Sequence, residues 1–293
     1  MDLYSDDTGQ TYKDLLARSD IQTVIIALPI LAQPAYIKEA LSAGKHVFAE
    51  KPIAKDLATA TELIDWYHKN IDTEKVFFGI AEQFRYLNAF IHGAKKVKEF
   101  GKVLGCRTRM HAFVQPGSKY YETAWRKTPE YQGGFLLDGG VHFIAGIRLL
   151  LGSAAKVSRI SAYTTQLQPH LPPVDTVDAT LKLTNGSSGT FSVSFGTTFT
   201  GSEWSIACEN GSISVQGKNV ITKRKGGDEK TEEVPDEFGG VKQEVFAWAK
   251  SIVNGKADPR QSPEEALADL EILETMLKSG EQDGAPLATK YQL

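Results

Sequence analysis

The sequence has little cysteine, no marked excess of either charge and no long apolar run. Its 293 residues include two cysteines, Cys106 and Cys208, too few for a disulfide framework or a zinc cluster. The 33 Lys and Arg against 36 Asp and Glu leave a net charge of −3, and phosphate recognition needs a basic surplus. No apolar run approaches the ~20 residues that span a bilayer. We therefore expect no metal site, no nucleic-acid partner and no membrane partner.

The first residues lack the features of a secretory signal. Met1 is followed by Asp-Leu-Tyr-Ser-Asp-Asp, which is neither a basic segment nor an apolar one. We therefore expect a cytoplasmic protein. At roughly 150 residues per domain, the length predicts two domains, which we place at 1–85 and 86–293.

Residues 1–85 alternate between strand-like and helix-like segments. The apolar run 23–28 and the segments 45–50 and 76–80 are typical of buried parallel strands. A helix is predicted over 35–43 and another before the third strand. This order predicts an α/β, Rossmann-like domain with a parallel sheet.

Residues 86–293 follow a different pattern. Asn185-Gly186 and Asn210-Gly211 each separate two β-type runs, which is the strongest short-range signal of a hairpin. Helices are predicted over 88–99, 136–151, 240–254 and 264–279, and a loop over 226–240. We therefore expect an α+β domain with a largely antiparallel open sheet.

Asp138 and His142 are four residues apart in a predicted helix, so both project from one helix face. A carboxylate beside an imidazole is a common way to orient a general base and raise its basicity. The same pair also fits a helix cap and a buried, hydrogen-bonded histidine. The spacing alone leaves both interpretations open.

Glu50, Lys51 and Pro52 follow the second predicted strand. Ligands of doubly wound folds collect at the carboxyl ends of strands, which favours a binding role for Lys51. The alternative is an exposed lysine at a strand end. The bond between Lys51 and Pro52 is also a candidate cis peptide.

Three motifs occur together in this sequence: Ala-Gly-Lys-His-Val-Phe-Ala-Glu-Lys-Pro (43–52), Trp125-Arg126, and Gly-Gly-Phe-Leu-Leu-Asp-Gly-Gly-Val-His (133–142). Together they resemble the Gfo/Idh/MocA family of NAD(P)-dependent oxidoreductases over nearly the whole chain. The resemblance implies a Rossmann-like domain followed by an α+β domain whose open sheet often forms the oligomer interface. It also implies a small-molecule substrate such as a sugar, a polyol or a related alcohol or carbonyl.

The resemblance implies roles for individual residues. Lys51 matches the family's active-site lysine, Asp138 its acidic partner and His142 the acid/base at the reacting oxygen. Glu50 matches the residue near the nicotinamide ribose. Many members carry a second aspartate where this chain has Ala145, a departure that affects substrate preference rather than the core of the site.

Aromatic residues are frequent in the loop before the helix predicted over 136–151. Tyr120, Tyr121 and Trp125 could line an apolar substrate, although such a density fits ordinary packing equally well. The resemblance implies that Trp125 and Arg126 belong to the wall of the substrate domain. Pro29, after the first predicted strand, would contact the cofactor if a nicotinamide cofactor is bound.

The sequence contains no G-x-G-x-x-G segment, the loop that holds the pyrophosphate in a Rossmann domain. We therefore expect a truncated Rossmann-like domain that lacks its first β-α-β part and starts with a strand at 1–5. The strand at 23–28 would then lie at an apolar edge that 1–5 or another chain must cover. We expect a homo-oligomer, a dimer formed through this edge or through the open sheet.

Three functions fit these features. We favour a small-molecule enzyme that needs no cofactor and uses Lys51, Asp138 and His142 as an acid-base site for isomerisation, elimination or cyclisation. The first alternative is an NAD(P)-dependent oxidoreductase that acts on a sugar, a polyol or a related alcohol or carbonyl. The second is a non-catalytic ligand-binding protein.

Overall fold

The computed structural model describes residues 2–119 and 121–292. The chain divides into two compact units, one formed by Met1–Ala81 and Phe246–Ala266, the other by Glu82–Val245 and Leu267–Leu293. The helices are α1 Tyr12–Leu16, α2 Gln33–Ser42, α3 Leu57–Asn70, α4 Asn88–Glu99, α5 Ala124–Lys127, α6 Gly134–Leu151, α7 Val241–Asn254 and α8 Pro263–Glu281. The strands are β1 Thr23–Ile26, β2 His46–Glu50, β3 Phe78–Ala81, β4 Val103–His111, β5 Val157–Thr165, β6 Thr176–Leu183, β7 Ser188–Ser194, β8 Gly201–Cys208, β9 Gly211–Gln216, β10 Asn219–Arg224, β11 Glu229–Glu233 and β12 Leu287–Ala288.

The sheet of the first unit is parallel, as the apolar runs predict. Its three strands lie in the order β1-β2-β3, with α2 and α3 as the crossovers between them. Most residues of β2 and β3 are buried, since a parallel sheet is covered on both faces. The register pairs Glu50 with Ala81. The carboxyl ends of β2 and β3 therefore lie side by side.

The outer edge of this sheet is open within the described residues. There β1 pairs with β2 alone, and Ser5 forms an isolated bridge with Gln10 instead of extending the sheet. The predicted strand at 1–5 is therefore wrong for residues 2–5. Ile25 of β1 is 62% exposed, so the edge strand does carry exposed apolar surface. That another chain covers this edge stays a prediction.

An aromatic cluster from α7 closes the core of the first unit. Trp248 stacks on Phe48 with ring centroids 5.1 Å apart, and Phe77 and Ala81 complete the cluster. The indole Nε1 donates to Thr23 Oγ1 over 3.0 Å. The indole therefore ties α7 to the first two strands by both stacking and a hydrogen bond.

Gly79 of β3 makes this packing testable. A Cβ at Gly79 would lie 2.8 Å from Cζ3 of Trp248 and 3.3 Å from Cδ2 of Phe48, and two stacked rings have little room to yield. We expect Gly79→Ala to lower the free energy of unfolding of this unit by about 1–3 kcal/mol. Hydrogen exchange of the β2 and β3 amides measures the effect. Gly227→Ala, where the added methyl makes ordinary contacts of 3.6 Å, is the control, and equal protection in both variants would contradict the prediction.

The second unit is built on a nine-stranded mixed sheet, in the order β11-β10-β9-β8-β4-β7-β6-β5-β12. Among the described residues β4 and β7 pair in parallel, and every other neighbouring pair is antiparallel. Asn185-Gly186 joins β6 to β7 and Asn210-Gly211 joins β8 to β9. The expected largely antiparallel sheet and both hairpins are confirmed.

The segment 226–240 differs from its prediction as a loop. It contains β11, which pairs with β10 in a register that joins Thr222 to Lys230. Every residue of β11 is exposed and most are charged. Such a strand has no apolar alternation to reveal it, and its charges suit an outer edge of the sheet.

The long helix α6 forms the apolar centre of the second unit. Gly133 precedes it with a φ of +93°, a left-handed conformation that glycine adopts without strain. By length and composition Gly134–Ala154 could cross a membrane, contrary to the sequence expectation, but 72% of its most apolar stretch is buried inside the protein. It is therefore a core helix, and it carries both Asp138 and His142.

Candidate active site

His142 is held by a buried carboxylate. Its Nδ1 lies 2.7 Å from Oε1 of Glu82, and Glu82 is 2% exposed. Glu82 comes directly after β3 and caps the 3₁₀ turn Gln83–Tyr86, where its Oε1 also accepts from the backbone N–H of Phe84 over 3.1 Å. The same oxygen of Glu82 therefore contacts both the imidazole and the backbone of the turn that it caps.

With Glu82 ionised, this contact sets the tautomer of His142. An ionised carboxylate only accepts hydrogen bonds, so the Nδ1 of His142 carries the hydrogen and donates it to Glu82. In the neutral imidazole the Nε2 is then the free acceptor. The arrangement prepares Nε2 to take a proton from a substrate hydroxyl and stabilises the imidazolium that results.

Aromatic packing fixes the plane of the imidazole. The ring of Phe84 stacks on His142 with centroids 5.2 Å apart and planes 17° apart. Phe84 itself lies against Phe90, Phe143 and Trp204. Phe84 therefore holds the ring on one face, and Glu82 holds it at Nδ1. The His142 side chain is 15% exposed.

Asp138 lies one turn before His142 and forms an ion pair with Arg126. The Nε of Arg126 donates to Oδ2 of Asp138 over 2.7 Å, and its Nη1 donates to Thr123 Oγ1 over 3.2 Å. The guanidinium carbon lies 4.2 Å from the ring centroid of Trp125, close enough for a cation–π contact. The structure thus joins three of the residues that the sequence selected, Trp125, Arg126 and Asp138.

Tyr131 lies close to this ion pair. Burial raises the pKa of its hydroxyl to about 12, with a further rise from the charge of Asp138 and an opposing effect of Arg126. The phenol therefore keeps its proton throughout the physiological range and is available as a hydrogen-bond donor.

The predicted site residues of the first unit come directly after its strands or at their ends. Lys51 lies in the turn directly after β2 and is partly buried, and the Lys51–Pro52 peptide bond is cis. Glu50 ends β2 and is exposed, and Pro29 is exposed in the turn after β1. All three therefore lie at the carboxyl ends of parallel strands, as predicted.

The loop predicted to line the substrate contacts His170, a histidine between β5 and β6 that sequence reasoning did not select. Tyr121 meets His170 edge to face at 5.7 Å, and Phe113 meets it at 6.0 Å. His170 Nε2 donates to the carbonyl of Val114 over 2.9 Å. Tyr120 lies outside the described residues.

Glu82 is the more important residue that sequence reasoning did not select. Its signal was its place directly after the third predicted strand, where parallel-sheet proteins collect functional groups. Among residues 2–119 and 121–292, no group of three or more His, Cys, Asp or Glu side chains is arranged to hold a metal ion. The site consists of one imidazole, carboxylates, an arginine and aromatic rings.

Two family models match the chain. One, described as "Oxidoreductase family, NAD-binding Rossmann fold", matches residues 1–77. The other, described as "Oxidoreductase family, C-terminal alpha/beta domain", matches residues 95–289. The chain belongs to the Gfo/Idh/MocA family of oxidoreductases.

Relatives of this Gfo/Idh/MocA protein agree with that assignment. The dehydrogenase FPY6 of Fusarium mangiferae is 39% identical over 303 residues, which cover 100% of this chain and 86% of FPY6. An oxidoreductase from Thermotoga maritima has a TM-score of 0.85 at 28% identity, covering 95% of this chain and 81% of that one. A levoglucosan dehydrogenase solved with NADH and levoglucosan has a TM-score of 0.83 at 19% identity, covering 96% and 83%, a likeness of fold alone.

These comparisons correct three expectations. The Rossmann fold model matches residues 1–77, so the view that the domain lacks its first part is not supported, and truncation is not shown. The expectation of no cofactor is wrong, because that model describes an NAD-binding fold. The favoured cofactor-independent function is wrong for the same reason.

The expectation of no cofactor relied on a single motif, G-x-G-x-x-G, as evidence for the whole cofactor site. The glycine loop is one of several contacts to a dinucleotide, and its absence from these residues carries no conclusion about binding. The relatives also support an enzyme over a non-catalytic ligand-binding protein.

Proposed function

We propose that this protein is an NAD(P)-dependent oxidoreductase that acts on a hydroxyl or carbonyl group of a sugar, a polyol or a related small molecule. The observation that carries the proposal is the pair formed by His142 and buried Glu82 in a chain of an oxidoreductase family. Removal of a hydride from an alcohol carbon requires removal of the hydroxyl proton as well. An imidazole with a free Nε2 is suited to that second task.

The first unit has groups that fit a nicotinamide cofactor. Glu50 presents an exposed carboxylate at the carboxyl end of β2, and a carboxylate can accept hydrogen bonds from ribose hydroxyls. Pro29 presents an exposed apolar ring after β1. Both belong to a parallel sheet whose strand ends are the usual place for such a ligand. We propose that Glu50 and Pro29 contact the cofactor.

The residues of the chain have distinct roles in the proposed reaction. NAD(P), when bound, accepts or supplies the hydride. His142 takes the proton of the substrate hydroxyl at Nε2, or returns it in the reverse direction, while Glu82 stabilises the imidazolium through Nδ1. We propose that the Lys51 ammonium stabilises negative charge that develops on the substrate oxygen. Asp138 carries the second carboxylate of the site and holds the guanidinium of Arg126.

The substrate wall is proposed from the loop residues around this ion pair. Arg126 presents a planar donor group suited to hydroxyl oxygens, and Trp125 and Tyr121 present aromatic faces that can cover the C–H face of a sugar ring. The dehydrogenase solved with levoglucosan shares this fold. The chemistry of the wall therefore favours a polyhydroxylated substrate over a simple apolar one.

Titration with NADH and NADPH tests the proposed function. We expect micromolar binding by isothermal titration, and a change in nicotinamide absorbance on addition of a sugar or polyol substrate. Glu50→Ala should weaken binding about 10-fold or more, since a hydrogen bond to a charged group contributes about 1.5–3 kcal/mol. The control is Glu74→Ala, which removes another exposed carboxylate of the same unit. Absence of binding by the unsubstituted protein would refute the proposal.

A further inference from the structure

The loop between β5 and β6 is held by side-chain contacts on both sides of His170. The buried carboxylate of Asp175 accepts from the backbone N–H of Leu167 through both of its oxygens, at 3.1 and 3.0 Å. Gln166 donates through Nε2 to the carbonyl oxygen of Leu171 over 2.7 Å, and Leu171 is itself buried. These contacts close the loop around His170 and define its place.

This loop borders the start of α6, the helix that carries Asp138. A Cβ at Gly134, the first residue of α6, would lie 3.1 Å from Cβ of Pro172, so the loop and the helix are in close contact there. His170 itself meets Tyr121 edge to face, with ring centroids 5.7 Å apart. His170 therefore lies beside the loop that we propose as the substrate wall.

The protein uses one nitrogen of His170 and leaves the other for a ligand. Nε2 lies 2.9 Å from the carbonyl oxygen of Val114, and because a carbonyl oxygen only accepts, Nε2 carries the hydrogen. In the neutral imidazole Nδ1 is then an acceptor. Within residues 2–119 and 121–292, no donor is hydrogen-bonded to Nδ1. The rings of Phe113 and Tyr121 pack edge to face against the imidazole, so this acceptor has a fixed direction.

The bond to Val114 does not by itself account for an imidazole at this position, since any N–H donor of similar reach would make it. The residues around the substrate wall supply donors, the guanidinium of Arg126 and the protonated hydroxyl of Tyr131. A substrate hydroxyl donates as well as accepts. Nδ1 of His170 adds an oriented acceptor to a wall of donors and aromatic faces.

We propose that Nδ1 of His170 accepts a hydrogen bond from one hydroxyl of a sugar or polyol substrate, which makes His170 a specificity-determining residue. The inference rests on the proposed function, in which His142 takes the proton of the hydroxyl that is oxidised. The hydroxyl at His170 is therefore a different one. A site that bonds a particular hydroxyl disfavours an analogue that lacks it, so His170 selects among polyhydroxylated molecules by the position of that group.

Two substitutions separate the two nitrogens of His170. In His170→Asn the amide oxygen takes the place of Nδ1, whereas the bond to Val114 is lost. In His170→Gln the longer side chain can still donate to Val114 through its own Nε2, whereas the acceptor at Nδ1 is lost. The first variant therefore keeps the proposed substrate contact, and the second keeps the contact within the protein.

Steady-state kinetics with a panel of aldoses and hexitols measures the difference. For the preferred compound, His170→Gln should raise KM about 3- to 10-fold, the size of one hydrogen bond between neutral groups, and leave kcat within about 2-fold. His170→Asn should keep KM and lower the thermal unfolding midpoint. His111→Gln, at a histidine that also bonds through Nε2, is the control and should leave KM unchanged. A rise of KM in His170→Asn but not in His170→Gln would show that His170 serves the loop alone.

Monodeoxy analogues of the preferred compound test the same contact from the side of the substrate. With the unsubstituted protein, one analogue should lose about 3- to 10-fold in kcat/KM, and with His170→Gln it should lose nothing further, because both changes remove the same hydrogen bond. Losses that add for every analogue would contradict the inference.

A binding measurement distinguishes failure of this inference from failure of the proposed function. The NMR signal of the His170 Cε1–H, identified by its loss in His170→Gln, should shift on titration with D-glucose, D-xylose or D-sorbitol, with and without NADPH. This measurement needs no hydride transfer. A shift without turnover would support the contact at His170 and count against the oxidoreductase. No shift with any of the three compounds would overturn the inference, whether or not the protein oxidises them.

Discussion

His142→Asn is expected to lower kcat/KM at least ~10²-fold, the usual contribution of a positioned general base. An asparagine amide neither takes nor gives a proton at the site of Nε2, although it can still bond to Glu82. Affinity for NADPH should stay unchanged, since the proposed cofactor contacts come from Glu50 and Pro29. Steady-state kinetics and a cofactor titration on the same preparation measure the two effects separately.

His111→Asn is the matched control for this prediction. His111 is a histidine of the same unit that bonds through Nε2 to Ser192 Oγ over 2.8 Å, on neighbouring strands of the sheet. This substitution should leave kcat/KM within about 2-fold of the original, because surface changes away from a site are usually small. If His142→Asn lost no more activity than His111→Asn, the proton transfer would have to be assigned to another group.

Much of the fold could be predicted because its signals are local. The apolar run at 23–28 indicated a parallel strand, which is confirmed, although β1 is less buried than that run predicts. The Asn-Gly pairs indicated hairpins, because this turn chemistry restricts the backbone within a few residues. The strand β11 could not be predicted in this way. Its residues are charged and exposed, and it exists only because β10 offers a free edge for pairing.

Of the contacts around His142, the sequence could predict only those within its own helix. Periodicity places Asp138 and His142 on one face of α6, and both lie there. The carboxylate at Nδ1 belongs to Glu82, which is 60 residues away in sequence. That contact depends on how the capped turn packs against α6, and a pattern within one element says nothing about the element opposite.

The cofactor was misjudged for a related reason. The glycine loop has a clear sequence motif, so its absence is the one feature of a dinucleotide site that a sequence shows directly. The other features of a dinucleotide site, parallel strand ends and their exposed side chains, have no comparable motif. The comparison with whole-family models therefore carried information that single motifs did not.

Glu82→Gln is expected to lower kcat/KM by about 10²- to 10⁴-fold. The smaller loss is typical of removing a general base, and the larger one of holding a catalytic histidine in the wrong tautomer. If the new amide donates to Nδ1, the hydrogen moves to Nε2 and the imidazole can no longer accept a substrate proton. If it accepts instead, the geometry survives but the imidazolium loses its negative partner. Steady-state kinetics measures the loss, and an unchanged thermal unfolding midpoint shows that the fold is kept.

The comparison with Asp138→Asn decides between the two carboxylates near His142. Because Glu82 contacts Nδ1 and Asp138 is paired with Arg126, Glu82→Gln should lower kcat further than Asp138→Asn does. Asp138→Asn should act more on the KM for substrate, since it releases the guanidinium that we place in the substrate wall. A larger loss of kcat in Asp138→Asn would return the orienting role to Asp138, the residue that helical spacing suggests.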